Sequence, residues 1–285
     1  MDRRTFLRLG VGAAILPTLA KIRFPVKENM FKLGKAAASD QSVKLKLGDY
    51  LPKGRPLTPP KNFGHENLVS SWGMLKNDVA GDCVFAGAAH EHLIWSAEGG
   101  HATAFTDQGV IQAYSDVTGY DPAQTGPTGY NPTDQGTVVA DALKYRRTHG
   151  MVDAFGKVHK IEAYAKLVPG NITELANATY LFSAVGVGLQ LPEYAIDQFK
   201  NGEPWNIISG NYDNIGGHYV PILAKRNGYF ACVSWGKLQL ISPLFIKAFC
   251  DEAYALFDSE MLRSGKSLDG FDQAGLLRNL RALTA

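Results

Sequence analysis

The chain has 285 residues, enough for one large domain or two small lobes whose core needs no covalent staples. Apolar residues make up 45% and charged residues 20%, which excludes a wholly disordered chain. Lys and Arg number 29 against 27 Asp and Glu, a formal charge of +2 that gives no electrostatic footing for nucleic-acid or membrane-surface binding, and three cysteines exclude a disulfide scaffold.

Residues 1–20, MDRRTFLRLGVGAAILPTLA, place a charged start (Asp2, Arg3, Arg4, Arg8) before an apolar stretch, Leu9 to Leu19, that ends in small residues. This is a signal-peptide layout, and the stretch is too short to span a bilayer. Arg3-Arg4 followed by Thr5-Phe6-Leu7-Arg8 resembles the twin-arginine export signal. The resemblance implies a bacterial protein that folds before export and acts in the periplasm or outside the cell. Its removal leaves 26 basic and 26 acidic residues. No membrane association is expected of the remainder.

Lys21 to Lys61 is basic, contains prolines and has no period, so it reads as extended chain wrapping a surface. Asp82 to Ala97 is a mostly apolar helix, buried on more than one side and stopped at Gly99-Gly100. Thr106 to Val117 is a second helix, and the turn-rich Gly119 to Gly136 is a long loop. Asp134 is placed to cap a third helix, Val138 to Thr148, that ends at Gly150. Strands then begin, with Val158 to Ala163 the first. Asn171-Ile-Thr-Glu174 opens a short helix to Phe182 with a capping-box-like signal. Ala184 to Leu191 has the pattern of a buried strand. His218 to Ala224 and Tyr229 to Trp235 form a hairpin around Lys225-Arg-Asn-Gly228. Ser242-Pro243 opens a helix expected to run to Phe257, and a last amphipathic helix falls at about 272–283. There is no internal repeat. Helices first and strands second argue for α+β with two lobes.

Cys83 opens the first helix, where unpaired backbone N–H groups and the helix dipole favour a thiolate. A cysteine nucleophile needs a base, and His218 is the best candidate, following Gly216-Gly217 at the start of an apolar strand.

These segments resemble a known family. Asn77-Asp-Val-Ala-Gly-Asp-Cys83 is similar to the papain-type Gln-x5-Cys segment, Gly217-His218-Tyr-Val to its His strand, and Ser234-Trp235-Gly236 to its Asn-Ser-Trp-Gly segment. The resemblance runs from Trp72 to Asp258. It implies a papain-like two-lobed fold over residues 62–285, with a helical lobe at about 62–155, a β-rich lobe at about 156–260 and the site between them. It also implies Cys83 as nucleophile, His218 as base and Asn77 as oxyanion donor, with Asp82, Gly217, Ser234 and Trp235 lining the site. Two positions depart from the pattern. Asn77 carries the family's amide on a shorter arm, and Val233 stands where the family has the Asn that orients the imidazole. A polar group elsewhere is then expected on the His218 nitrogen facing away from Cys83, with Asp213 and Asn214 as candidates.

Cys232 in a strand and Cys250 in a helix read as inert core thiols. His90-Glu91-His92 lacks zincin spacing, and its two imidazoles point about 200° apart on a helix, so no metal is expected there. Asn171 and Asn177 match the glycosylation sequon but read better as helix-capping residues. Gly186-Val-Gly188 is not a dinucleotide fingerprint, and no cofactor is expected. The expected function is that of an exported cysteine hydrolase acting on peptide amide bonds through an acyl-enzyme. The alternatives are a cell-wall amidase or acyl transferase with the same thiol and imidazole, and a non-catalytic binding protein on the same fold.

Overall fold

The computed structural model describes residues 31–38, 58–101 and 103–270. The signal-like residues 1–20, most of the extended stretch 21–61 and the terminal helix expected at 272–283 lie outside the described residues. In chain order the elements are β1 (Phe63–Gly64), α1 (Cys83–Gly99), α2 (Asp107–Thr118), α3 (Val139–Thr148), β2 (Met151–Val152), β3 (Val158–His159), β4 (Ala163–Lys166), α4 (Ile172–Phe182), β5 (Val185–Pro192), α5 (Tyr194–Lys200), β6 (Asn214–Arg226), β7 (Tyr229–Ser234), β8 (Lys237–Ile241), α6 (Pro243–Phe249) and β9 (Cys250–Phe257). The main sheet is antiparallel in the order β4-β9-β5-β6-β7-β8, with β1 also on β6.

Two cores meet at this sheet. In the first, Phe85, Ile94 and Trp95 of α1 pack with Val110 and Tyr114 of α2, Leu143 of α3, and the sheet residues Tyr219, Leu223 and Leu256. In the second, Phe182, Val187, Leu189, Trp205, Phe230 and Phe245 pack on the other face. Helix α1 has no solvent face because it lies between α2, α3 and the sheet, which is why its sequence carries no polar stripe. Some of its few polar groups are paired inside. Trp95 Nε1 donates to Phe182 O at 2.8 Å. Glu91 accepts from Tyr219 Oη at 2.7 Å and lies 2.6 Å from Arg146 Nη1, with both charged side chains almost fully buried.

Several expectations are corrected. The helix opened by Ser242 ends at Phe249, and Cys250 begins strand β9 instead of lying in that helix. Its Ala, Glu and Leu content suits a helix, but β9 fills the slot between β4 and β5, where both strands present backbone groups that must be paired. Val158–Ala163 is divided between the short β3 and the start of β4. Asp134 does not cap α3; it accepts from Tyr114 Oη at 2.6 Å and from Gly81 N at 3.0 Å. Helix α5 and strand β8 carry no strong sequence signal. Asn171 caps α4, accepting from Glu174 N at 3.2 Å.

The buried Arg146–Glu91 pair sets a stability test. Arg146→Met leaves the Glu91 charge buried without its counter-ion and should lower unfolding free energy by about 3–5 kcal/mol in urea denaturation. The double variant with Glu91→Leu should recover part of that loss.

Candidate active site

Asp82 precedes α1 without capping it through its side chain, and Cys83 is the first helical residue. His218 lies on β6 opposite Leu189 of β5. One turn apart on α1, Cys83, Ala86, Gly87 and His90 share a face, and that face, with Asn77, His218, Val233, Ser234 and Trp235, encloses a cavity of about 10 Å3. Among the described residues, larger hollows of about 380 and 190 Å3 lie elsewhere and contain no cysteine or histidine. The space beside Cys83 is small because the protein's own chain fills it.

Residues 31–38 run across the site and are tied to both sides of it. Lys32 N donates to Asn77 O (3.0 Å), Lys35 N to Gly217 O (3.0 Å), Ala36 N to Thr137 O (2.9 Å), and Thr137 N to Gly34 O (2.7 Å). The Lys32 carbonyl accepts from Trp235 Nε1 at 3.2 Å and from Asn77 Nδ2 at 3.4 Å. Phe31 packs on Trp235 at 4.9 Å and on Phe199 at 5.3 Å. Two glycines make the fit possible. A Cβ on Gly34 would lie 1.7 Å from Gly81 O, and one on Gly217 would lie 2.1 Å from Lys35 O. Lys35 Nζ ends between Asp251 at 2.9 Å and Glu252 at 3.0 Å with its side chain wholly buried.

Burial governs the electrostatics. Cys83 is 1% exposed, and this burial opposes the thiolate that its place at the helix start favours. Burial pushes its pKa up to about 12, against the pull of the Tyr219 and Gly34 backbone N–H groups. His218 is pushed down to about 3 and His90 to about 4 by the same cause. Desolvation likewise holds the Asp82 carboxyl well above its ordinary value. At neutral pH the thiol and imidazole are therefore uncharged, and the helix start does not offset desolvation.

His218 has a polar side-chain partner, which comes from the residue after the departure. Nε2 lies 2.8 Å from Ser234 Oγ. Asp213 and Asn214 do not supply it; Asn214 Nδ2 donates to Gln190 instead. Nδ1 of His218 has no hydrogen-bond partner among the described residues, so no hydrogen bond yet joins it to Cys83. Trp235 covers the imidazole, with ring centroids 4.4 Å apart and planes at 17°. Asn77 Nδ2 is engaged by Lys32 O and by Ala80 O at 3.3 Å. Lys32, Gly34, Lys35 and His90 were not signalled as site residues by sequence. Cys232 and Cys250 are free thiols, donating to Gln239 O and Glu252 O, both at 3.4 Å.

No protein-family model and no curated protein sequence matches the chain. Solved structures do. Xylellain, a cysteine protease from Xylella fastidiosa, is 13% identical with a TM-score of 0.54, over 83% of this chain and 98% of its own. The ragweed pollen cysteine protease Amb a 11 in its proform is 16% identical with a TM-score of 0.55, over 81% and 76%. Procathepsin L2 from the larval midgut of Tenebrio molitor is 15% identical with a TM-score of 0.55, over 82% and 81%. The fold is papain-like. Within that α+β fold, Cys83 and His218 line the same small cavity where helix α1 faces the sheet.

The buried thiol makes a pH prediction. Only the thiolate is alkylated, and a raised pKa means little thiolate at pH 7. Iodoacetamide modification of Cys83 in the intact chain should therefore keep rising with pH to at least about pH 10, with no plateau near neutrality.

Proposed function

We propose that this chain is an exported papain-like cysteine hydrolase that cleaves amide bonds in peptides, and that its residues 31–38 hold it in a latent state. The observation that carries the substrate class is the groove's present occupant. An extended polypeptide lies beside Cys83, held through main-chain groups of Asn77, Thr137 and Gly217. A peptide substrate can use the same groups without side-chain specificity.

The chemistry follows from the site. With Nε2 donating to Ser234 Oγ, His218 Nδ1 keeps a lone pair to take the Cys83 proton. The thiolate attacks the acyl carbon, and Asn77 Nδ2, released from the Lys32 carbonyl, donates to the developing oxyanion. Collapse expels the amine, which takes the proton from His218. Water then hydrolyses the thioester, with the imidazole again as base. Ser234 does the orienting work that Val233 cannot. The lobes at about 62–155 and 156–260 supply Cys83 and His218 respectively. Latency is supported by the proforms among the similar structures and by the neutral, water-excluded pair. Export rests on residues 1–20; among the described residues no helix is long and apolar enough to cross a membrane.

A second reading, a non-catalytic binding protein, is favoured by the absence of a hydrogen bond between His218 Nδ1 and Cys83. A thiol trap separates the two. Gly34→Val cannot seat against Gly81 and should displace the segment. In that variant chloroacetamide at pH 7 should label Cys83 at least about tenfold faster than Cys232 or Cys250, and His218→Ala should abolish the difference. Equal, slow labelling of all three cysteines establishes the binding protein instead.

A further inference from the structure

A second cluster of chemistry lies on the far part of α1, roughly 13 Å along the helix from Cys83. His92 of α1, His159 of β3 and Glu260, in the turn after β9, each bring a ligand atom within 4.8 Å of the other two. We propose that these three residues bind a divalent transition-metal ion, zinc by donor type.

The arrangement beyond the three ligands supports this. His92 is fully buried, and its Nδ1 lies 3.0 Å from Asp258 Oδ2. Neither nitrogen of His92 has a hydrogen-bond partner among the described residues, Nδ1 meeting Asp258 at ion-pair distance only, and Nε2 is the one with no carboxylate beside it. His159 is also fully buried, with Nε2 3.1 Å from Asp153 Oδ2 and Nδ1 2.7 Å from Glu260 Oε2. Each imidazole thus has a second carboxylate beside it, Asp258 at His92 and Asp153 at His159, the arrangement that orients metal-binding histidines. A protonated His159 bridging Asp153 and Glu260 satisfies that ring alone. It leaves His92 Nε2 buried and unpartnered, which a metal ion would correct.

Charge points the same way. Among the described residues the one lysine in an ion pair with Asp153, Asp258 or Glu260 is Lys157, whose Nζ is 2.8 Å from Glu260, while the nearby Arg146 is paired with Glu91. With both imidazoles neutral the cluster holds two uncompensated negative charges, the complement of a divalent ion. Two imidazoles and a carboxylate are a zinc donor set. Tetrahedral zinc separates its ligand atoms by roughly 3.3 Å, so Glu260 must draw back slightly from His159 Nδ1. Its side chain is 19% exposed and that of Lys157 51%, giving both room to move and a route in from solvent. The histidines escape motif searches because His90 and His92 diverge. His90 turns to Gly73 O at 3.1 Å, and the partners of His92 come from 67 and 168 residues further along the chain.

The test uses the full chain, stripped with chelator, incubated with Zn2+ and desalted. Elemental mass spectrometry should find about one equivalent of zinc, retained in Cys83→Ala and lost in the double variant His159→Gln/Glu260→Gln. Cobalt in place of zinc should give d–d absorption without a thiolate charge-transfer band. That wild-type spectrum decides the matter if the double variant does not fold. Retention below about 0.1 equivalent, retention that survives the double variant in folded protein, or a cobalt–thiolate band overturns the proposal.

Discussion

Lys35 carries a full charge into the protein on a side chain with no exposed surface, and it is stable there only because Asp251 and Glu252 meet it. Burial lowers its pKa, but the two carboxylates more than offset this, so the ammonium stays charged. This anchor pins the segment 31–38 between β6 and the loop before α3. Water is then excluded from the space around Cys83, and both the thiol and the imidazole lose their charged forms. Glu252 also accepts from Tyr254 Oη at 2.8 Å, and Asp251 from Gln190 at 2.6 Å, so each carboxylate is held before the lysine arrives.

The hairpin β7–β8 solves the problem posed by Val233. Trp235 (φ 44°) and Gly236 (φ 73°) both adopt left-handed backbone, as a two-residue turn between twisted strands requires. That turn lays the indole flat over the imidazole and directs its Nε1 to the Lys32 carbonyl. Ser234, one residue before the turn, reaches Nε2. The valine packs in the core beneath. A hydroxyl supplies one hydrogen bond where a carboxamide offers more, so the stacked indole carries a larger share of holding the ring.

Much of this was legible in the sequence because it is written in short spacings. The start of α1 at Cys83, the cap of α4 at Asn171, the buried run of β5 and the hairpin at Asn227-Gly228 all depend on neighbours within a few residues. That the extended segment 31–38 occupies the site is not legible. Its stretch has no period, and the partners of Lys35 lie 216 and 217 residues away. Strand β9 departs from its sequence preference for a related reason, since pairing on two sides overrides the helix preference of its residues. The reactivity of Cys83 is not set by its local position either. Position at a helix start is local, whereas desolvation depends on what the rest of the chain lays over it.

Amide hydrogen exchange reports most directly on whether the protein covers its own site. In the intact chain the amides of Lys35, Ala36 and Thr137 are each bonded across the groove. They should exchange at least about a hundredfold more slowly than in an unstructured peptide, and Lys35→Ala should release all three together. Exchange of residues 31–38 at the free-peptide rate in the unmodified chain would contradict the account.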